Sequence, residues 1–326
     1  MKNAVCTVTL LALTAAVYAQ YNPESDFDTR LIDGGKSVEI TWYRGTAEAA
    51  GIPPRIGDVP VTVIGPWAFM DNESLTAVTI PDSVTVIGRY AFAGCRSLTG
   101  ITVASGNQSY ASEEGVLYNK AKTKIIYVPK GIGGVVTIAN GVTVIEEMAF
   151  GGCTALTGVI IPDGVTAIGW QAFDGCTALA SVTIPDSVTV IGAAAFRGSR
   201  ITVVTIPAAM SVIGMGAFEG CAFLVSVTIH DNVLNIGYHA FGGCSRLGSV
   251  TIPGSVTGIG EDAFANCISL TSVTFQGTIS PGSFGRNAFT RQGDLRAKYL
   301  AGGPGTYTTT APAGEHSLWT KQRRGD

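Results

Sequence analysis

This 326-residue chain is short of charge. Asp, Glu, Lys and Arg make up 14% of it and the net charge is −3. It therefore has no basic face to offer a nucleic-acid backbone, whose binding rests on clustered Lys and Arg. Histidine is scarcer still. His230, His239 and His316 are the full set, and none stands at metal-ligand spacing from Cys or a carboxylate. Nucleophile elbows and phosphate-cradling glycine loops are missing. After the first residues, no run of apolar residues reaches the roughly twenty that a membrane helix needs. These gaps argue against a nucleic-acid partner and a transmembrane segment, and they point to no metal and no cofactor. Asp82, Asp163 and Asp186 recur after strand-ending prolines and read as turn residues. The acidic pairs Glu146-Glu147 and Glu261-Asp262 read as solvated corners, so the chain is expected not to be an enzyme.

What the chain has in quantity is apolar residues, 46% of the total, and 42 glycines. That is material for a large core and for many tight corners. The first residues read as a secretory signal peptide over 1–19. Lys2 supplies the positive charge, Ala4 to Val17 the apolar stretch, and Val17-Tyr18-Ala19 the small-residue cleavage site before Gln20. Cys6 precedes the apolar stretch, whereas the lipid-modified cysteine of a lipoprotein follows it. The expectation is an exported, soluble chain, secreted or held at the cell surface.

Repetition dominates the remainder. VTIPDSVTVIG at 78–88 returns unaltered at 182–192. An Ala-Phe dipeptide recurs with its ring at Phe69, Phe92, Phe150, Phe173, Phe196, Phe218, Phe241 and Phe264. Successive spacings are 23, 58, 23, 23, 22, 23 and 23, the long one being a period plus a 35-residue insertion. A fixed period in this range marks a solenoid. Within one period Val182 and Ile184 alternate with Ser181 and Thr183, the rhythm of a short strand with one buried face. Pro185 lacks a ladder donor and closes that strand. Val188 and Ile191 turn inward again, Gly192 allows a corner, and Ala-Phe is expected to begin a helical or 3₁₀ turn that buries the ring. Each coil alone leaves its apolar side wet, and stacking the next coil covers it.

From Cys176 the order CTALASVTIP fits Cys/Asn-x-x-Leu-x-x-Leu-x-Leu, the signature of leucine-rich repeats. With the added Pro, the Ile-Gly corner and the Ala-Phe turn, the chain resembles the BspA-like (treponemal-type) subclass. That resemblance implies a leucine-rich repeat solenoid with short parallel β-strands and about 23 residues per coil. It also implies an exported protein-binding scaffold or adhesin, with host, extracellular-matrix or neighbouring-cell proteins as partners. A glycan- or small-ligand-binding surface module is the alternative. The expected organisation is an N-terminal cap hairpin within 20–51, a solenoid over 52–275 and a C-terminal cap and tail over 276–326. The cap strands alternate as Phe27-Thr29-Leu31 and Val38-Ile40-Trp42, and a hairpin insertion interrupts the solenoid at 104–134.

Three sets of residues stand out. Cys95, Cys153, Cys176, Cys221, Cys244 and Cys267 share one place in the coil, held by Asn72 in the first coil and Ser199 in the irregular one. Asn, Ser and Cys can all bond nearby backbone. Parallel side chains about 4.8 Å apart are also too far for a disulfide, whose Cβ atoms sit about 3.8 Å apart. A ladder of buried thiols is expected. The strand face carries Thr79, Thr102, Thr183, Thr205, Thr228, Thr251 and Thr274, a uniform row without anchors. The two positions before Ala-Phe vary instead: Trp67, Arg89, Tyr90, Trp170, Tyr238 and His239 are the candidate binding ridge. Arg324-Gly325-Asp326 spells the integrin-recognition tripeptide and reads as incidental to binding, with an integrin contact as the alternative.

Overall fold

The computed structural model describes residues 21–310 and 317–323. The expected signal peptide over 1–19, Arg324-Gly325-Asp326 and His316 lie outside the described residues. The chain is a β-solenoid of about ten turns. Each regular turn lays a strand of three to five residues on one side, as in Ser181–Thr183 and Ser249–Ile252, and a two-residue strand on the other, as in Val190–Ile191. Both kinds pair in parallel with the next coil and in register, so that Val159 faces Val182 and Ile168 faces Ile191. In-register stacking sends like residues to like places. Val182, Ile184, Val188 and Ile191 turn into the core and Ser181 and Thr183 face solvent.

The corner carrying Ala-Phe keeps some three-residue back-bonds but differs from the expected helical or 3₁₀ turn. Ala68, Met70 and Asn72 N–H groups bond back three residues, to Gly65, Trp67 and Phe69. The alternate N–H groups of Trp67, Phe69 and Asp71 point along the solenoid axis to the carbonyls of Arg89, Ala91 and Ala93 in the next coil. A helix keeps all its bonds within the segment, whereas this corner gives half of them to its neighbour. The device behind it is a left-handed residue on each side of the phenylalanine, such as Gln171 at φ 53° and Gly175 at φ 69°. The phenylalanines then stack as a row: Phe173 to Phe196 lie 5.1 Å apart with planes 2° from parallel, and Phe196 to Phe218 lie 5.4 Å apart at 1°.

Both ends are closed. Phe27–Ile32 and Ser37–Tyr43 form an antiparallel hairpin whose second strand pairs in parallel with Val59–Ile64 of the first coil. Tyr43 stacks on Phe69 at 5.1 Å, so the aromatic row begins in this hairpin. At the other end the row passes position 275, because Phe289 stacks on Phe264 at 4.9 Å. Ala288-Phe289 repeats the dipeptide, but it sits 25 residues after Phe264 and a 23-residue ruler steps over it. Leu295–Gly302 is a helix that sequence rhythm did not announce, and Gly305–Thr308 pairs antiparallel with the last long strand, Ser272–Phe275. Phe275, Phe284, Tyr299, Tyr307 and Trp319 bury their rings under these elements and seal the end.

The insertion is a three-stranded antiparallel meander, Tyr110–Glu113, Val116–Asn119 and Lys124–Tyr127, one strand more than a hairpin. It divides the core. Leu117 packs with the N-terminal coils, whereas its neighbours Val116 and Tyr118 pack with the C-terminal ones. A two-residue period thus gives one strand a face for each core. Asn107 plugs the turn leading into it: Nδ2 donates to the carbonyls of Pro81 and Val84, and Oδ1 accepts from Ser109 and Tyr110 N–H. Asn107 is fully buried.

Phe218 is fully buried between Phe196 and Phe241. Phe218→Ala is expected to cost about 3–5 kcal/mol, since a core ring is lost and its cavity cannot collapse in a stacked solenoid. Denaturant unfolding checks this, and a variant that unfolds with the parent would contradict the inward row.

Candidate functional site

The ridge arises from the left-handed corner. Two residues before each phenylalanine stand Trp67, Tyr90, Met148, Gln171, Ala194, His239 and Asp262, all at φ between 52° and 60°, with Gly216 the one glycine. This backbone suits glycine and costs a side chain on the order of 1 kcal/mol. Two residues after the phenylalanine, where φ is also positive, glycine holds six coils from Gly94 to Gly243. The first position therefore keeps side chains that its backbone does not favour. It aims them, with their preceding neighbours, along one edge. Trp67 is 50% exposed, Met215 56% and Tyr238 49%, and Trp170 and Arg89 are exposed beside them.

Five of the six ridge residues fall into three groups. Trp67 and Tyr90 stack with centroids 6.2 Å apart and planes within 4°, forming one aromatic surface across two coils. Arg89 makes a two-pronged ion pair with Glu147 across the insertion, and this partner holds its guanidinium above the usual range. Tyr238 leans on His239 at 4.2 Å, and His239 sits between Glu219 and Asp262 of the flanking coils, 3.5 Å from each. Trp170 stands between these groups, and Ala193-Ala194 leaves a gap in the ridge. Arg197 and Asp174, which sequence reading passed over, pair at 2.7 Å just beside it.

Sequence reading also missed a second feature. Phe223 is clasped by Arg200 at 4.5 Å and Arg246 at 4.7 Å, a cation–π stack over three coils. Its signal was available, since all three residues lie one or two places after the cysteine position. The threonine row is less uniform than it read. Ile160, 55% exposed, stands in register with Thr183 and interrupts the row.

The six repeat cysteines are buried free thiols. Cys95, Cys176, Cys221, Cys244 and Cys267 donate to the carbonyls of Phe69, Phe150, Phe196, Phe218 and Phe241 at 3.0–3.3 Å. Cys153 reaches Val128 at 3.7 Å. Five of the six thiols therefore tie their coil to the preceding phenylalanine carbonyl, and Cys153 ties its coil to Val128 of the insertion. Asn72 instead accepts locally from Leu75 N–H, and Ser199 turns to the carbonyl of Phe196 in its own coil. Burial pushes the thiols up, to about 11 for Cys95 and Cys221 and about 12 for Cys153 and Cys267. Cys176 and Cys244 move the same way, as does the Tyr127 phenol, which donates to the Phe92 carbonyl at 2.9 Å. Among the described residues no three His, Cys, Asp or Glu side chains gather to hold a metal. No helix among them is long and apolar enough to cross a membrane.

A coil of this period, with a Cys/Asn place, an in-register short strand and a stacked phenylalanine, defines a leucine-rich repeat solenoid. The BspA type leucine rich repeat region matches six copies over residues 58–135, 134–245 and 171–296. The chain belongs to that family. It is 28% identical to a leucine-rich repeat protein of T. pallidum, covering 70% of this chain and 91% of that one, with a TM-score of 0.39. A leucine-rich repeat protein of Eubacterium ventriosum is 21% identical over 76% of this chain and 94% of its own, with a TM-score of 0.48. The pneumococcal vaccine antigen PcpA is 19% identical over 77% of this chain and 62% of its own, with a TM-score of 0.52. No curated protein sequence matches this chain.

A thiol held above its unfolded value of about 8.5 adds stability in full below that pH. The contribution fades as pH rises toward the folded values of about 11 to 12. The unfolding midpoint is therefore expected to fall as pH rises above about 9. Thiol titration in denaturant should give the same six repeat thiols with and without reductant. Loss of two in the unreduced sample, or a midpoint that climbs with alkali, would contradict this ladder.

Proposed function

We propose that the chain is an exported protein-binding scaffold or adhesin, secreted or displayed at the cell surface, that engages a partner protein through the corner ridge. The observation behind this reading is the contrast between the two left-handed positions. Glycine fills the position after the ring in six coils, with Asp71 and Asn266 in two others, whereas Trp, Tyr, Met, Gln, His and Asp stand before the ring despite the backbone cost and Gly216 is the one glycine there. Strain kept at varied, outward side chains is the pattern of a functional edge. Binding energy concentrates in large aromatic and Arg anchors, and the ridge supplies Trp67, Tyr90, Arg89, Trp170 and Tyr238, whereas the strand face is small and repetitive. The stacked pair adds an exposed apolar surface larger than either ring. Host matrix or neighbouring-cell proteins are the partner class that family membership favours.

A panel of immobilised matrix proteins beside a glycan array separates protein from glycan recognition. With a protein partner in hand, Trp67→Ala combined with Tyr90→Ala is expected to weaken affinity at least tenfold, about 1.4 kcal/mol. The melting temperature should barely change, because Trp67 is half exposed. Unchanged affinity, or an equal loss of stability, would return both rings to corner packing.

A further inference from the structure

The regular corners pass N–H groups forward. In the Phe173 coil, Gln171, Phe173 and Gly175 donate to Ala193, Ala195 and Arg197 of the next coil. The Phe92 coil breaks the pattern. Arg89, Ala91 and Ala93 accept from the preceding coil as usual, but among the described residues the N–H groups of Tyr90, Phe92 and Gly94 meet no acceptor. On the other side of the break, the carbonyls of Glu147 and Gly151 accept from no described residue, although their counterparts Trp170 and Asp174 do. Only Ala149 between them is met, by Val128 N–H at 2.8 Å.

The insertion is the cause. Ile125 pairs with Ile145, and Val128 takes the place in the ladder that Phe150 takes in the next coil. Two residues join Ile125 to Val128, where four join Ile145 to Phe150. The inserted coil cuts the corner short, and a cavity of about 310 Å³ stands where the loop of a regular coil would run. Ile87, Leu117, Ile126 and Met148 line it. The ion pairs Arg89–Glu147 and Lys124–Glu146 stand among its lining residues. Lys130 also lines it and, among the described residues, has no ion-pair partner.

Unmet donors on one wall and unmet acceptors on the other specify the occupant. A small anion answers the donors alone. A polypeptide backbone carries both groups at the spacing this corner already uses in every regular coil. We propose that the cavity receives a short segment of a partner polypeptide whose main chain supplies the missing corner. Its carbonyls accept from Tyr90, Phe92 and Gly94, and its N–H groups donate to Glu147 and Gly151. This is strand addition transferred to a solenoid corner. The walls select apolar side chains, and unpaired Lys130 selects an acidic one. The site adjoins the ridge, since Tyr90 belongs to both, so the inference rests on the protein-binding reading and gives that partner a chemical class.

The test uses the full-length protein, isotope-labelled, with the capped peptide Ac-GWQAFDG-NH2 as probe. The peptide copies residues 169–175, which cover the Phe150 corner in the native stack. In the free protein the amides of Tyr90, Phe92 and Gly94 should exchange roughly a hundredfold faster than those of Gln171, Phe173 and Gly175. Added peptide should shift the first three resonances saturably and slow their exchange at least tenfold. Ala93→Phe, which fills the cavity, should remove the response. Lys130→Glu, at a half-buried residue without an ion pair, should weaken it tenfold with the melting temperature unchanged. Protection of all three amides in the free protein, no shift at millimolar peptide, or the same shift in Ala93→Phe would each overturn the site. An unresponsive cavity in a protein whose partner affinity still depends on Trp67 and Tyr90 overturns this inference alone and leaves the ridge standing.

Discussion

The corner hydrogen bonds hold the architecture together. At each regular Ala-Phe corner the backbone alternates bonds to itself with bonds to the next coil, and the alternation needs left-handed residues two places before and after the ring. Everything else follows from this register. It fixes the coil-to-coil step, which stacks the phenylalanines nearly parallel and brings five of the six repeat thiols to the carbonyl of the previous ring. The long strands are only three to five residues each, too short to hold themselves. Stability in such a stack comes from neighbouring interfaces, so both ends require the aromatic lids that close them.

The same constraint generates the surface. The left-handed residue and the one before it form the outer edge of the corner, where Trp67, Arg89, Trp170, Met215 and Tyr238 are exposed and Tyr90, Met148, Gln171 and His239 are half-buried. The strand face has the opposite character. Its side chains are repeated by an in-register ladder, and Ile160 is an exception within a row of Thr. Recognition needs variety and anchors, which the corner edge has and the strand face lacks. Where the insertion shortens one corner, the register is interrupted and, among the described residues, five backbone groups are left without partners beside Trp67 and Tyr90. Ridge and cavity are thus two results of one geometry, the first from completing the corner ladder and the second from breaking it.

Much of the fold was legible in the letters because the repeat averages over its copies. A single Val-x-Ile is ambiguous, but recurrence at a fixed period fixes strand, corner and ring. The thiol ladder was legible for the same reason, through the shared place of Cys, Asn and Ser. The corner conformation was not, since Trp, Tyr and Met carry no signal for positive φ. The glycine two places after each ring, from Gly94 to Gly243, was the hint that went unread. The dividing role of Leu117 between Val116 and Tyr118 was also hidden, because it depends on coils on both sides of the insertion. Arg200, Phe223 and Arg246 come together only once the coils are stacked.

Hydroxyl-radical footprinting of the protein with its bound partner tests the central claim most directly. Trp67, Tyr90, Met148, Trp170, Met215 and Tyr238 are oxidisable and share one edge, whereas Val135, Ile160 and Val203 are exposed on the strand face. The account predicts that the partner shields the first set, most strongly around Trp67 and Tyr90, and leaves the second labelled as in the free protein. Shielding of Val135, Ile160 and Val203 with an unprotected ridge would contradict it and move recognition to the strand face.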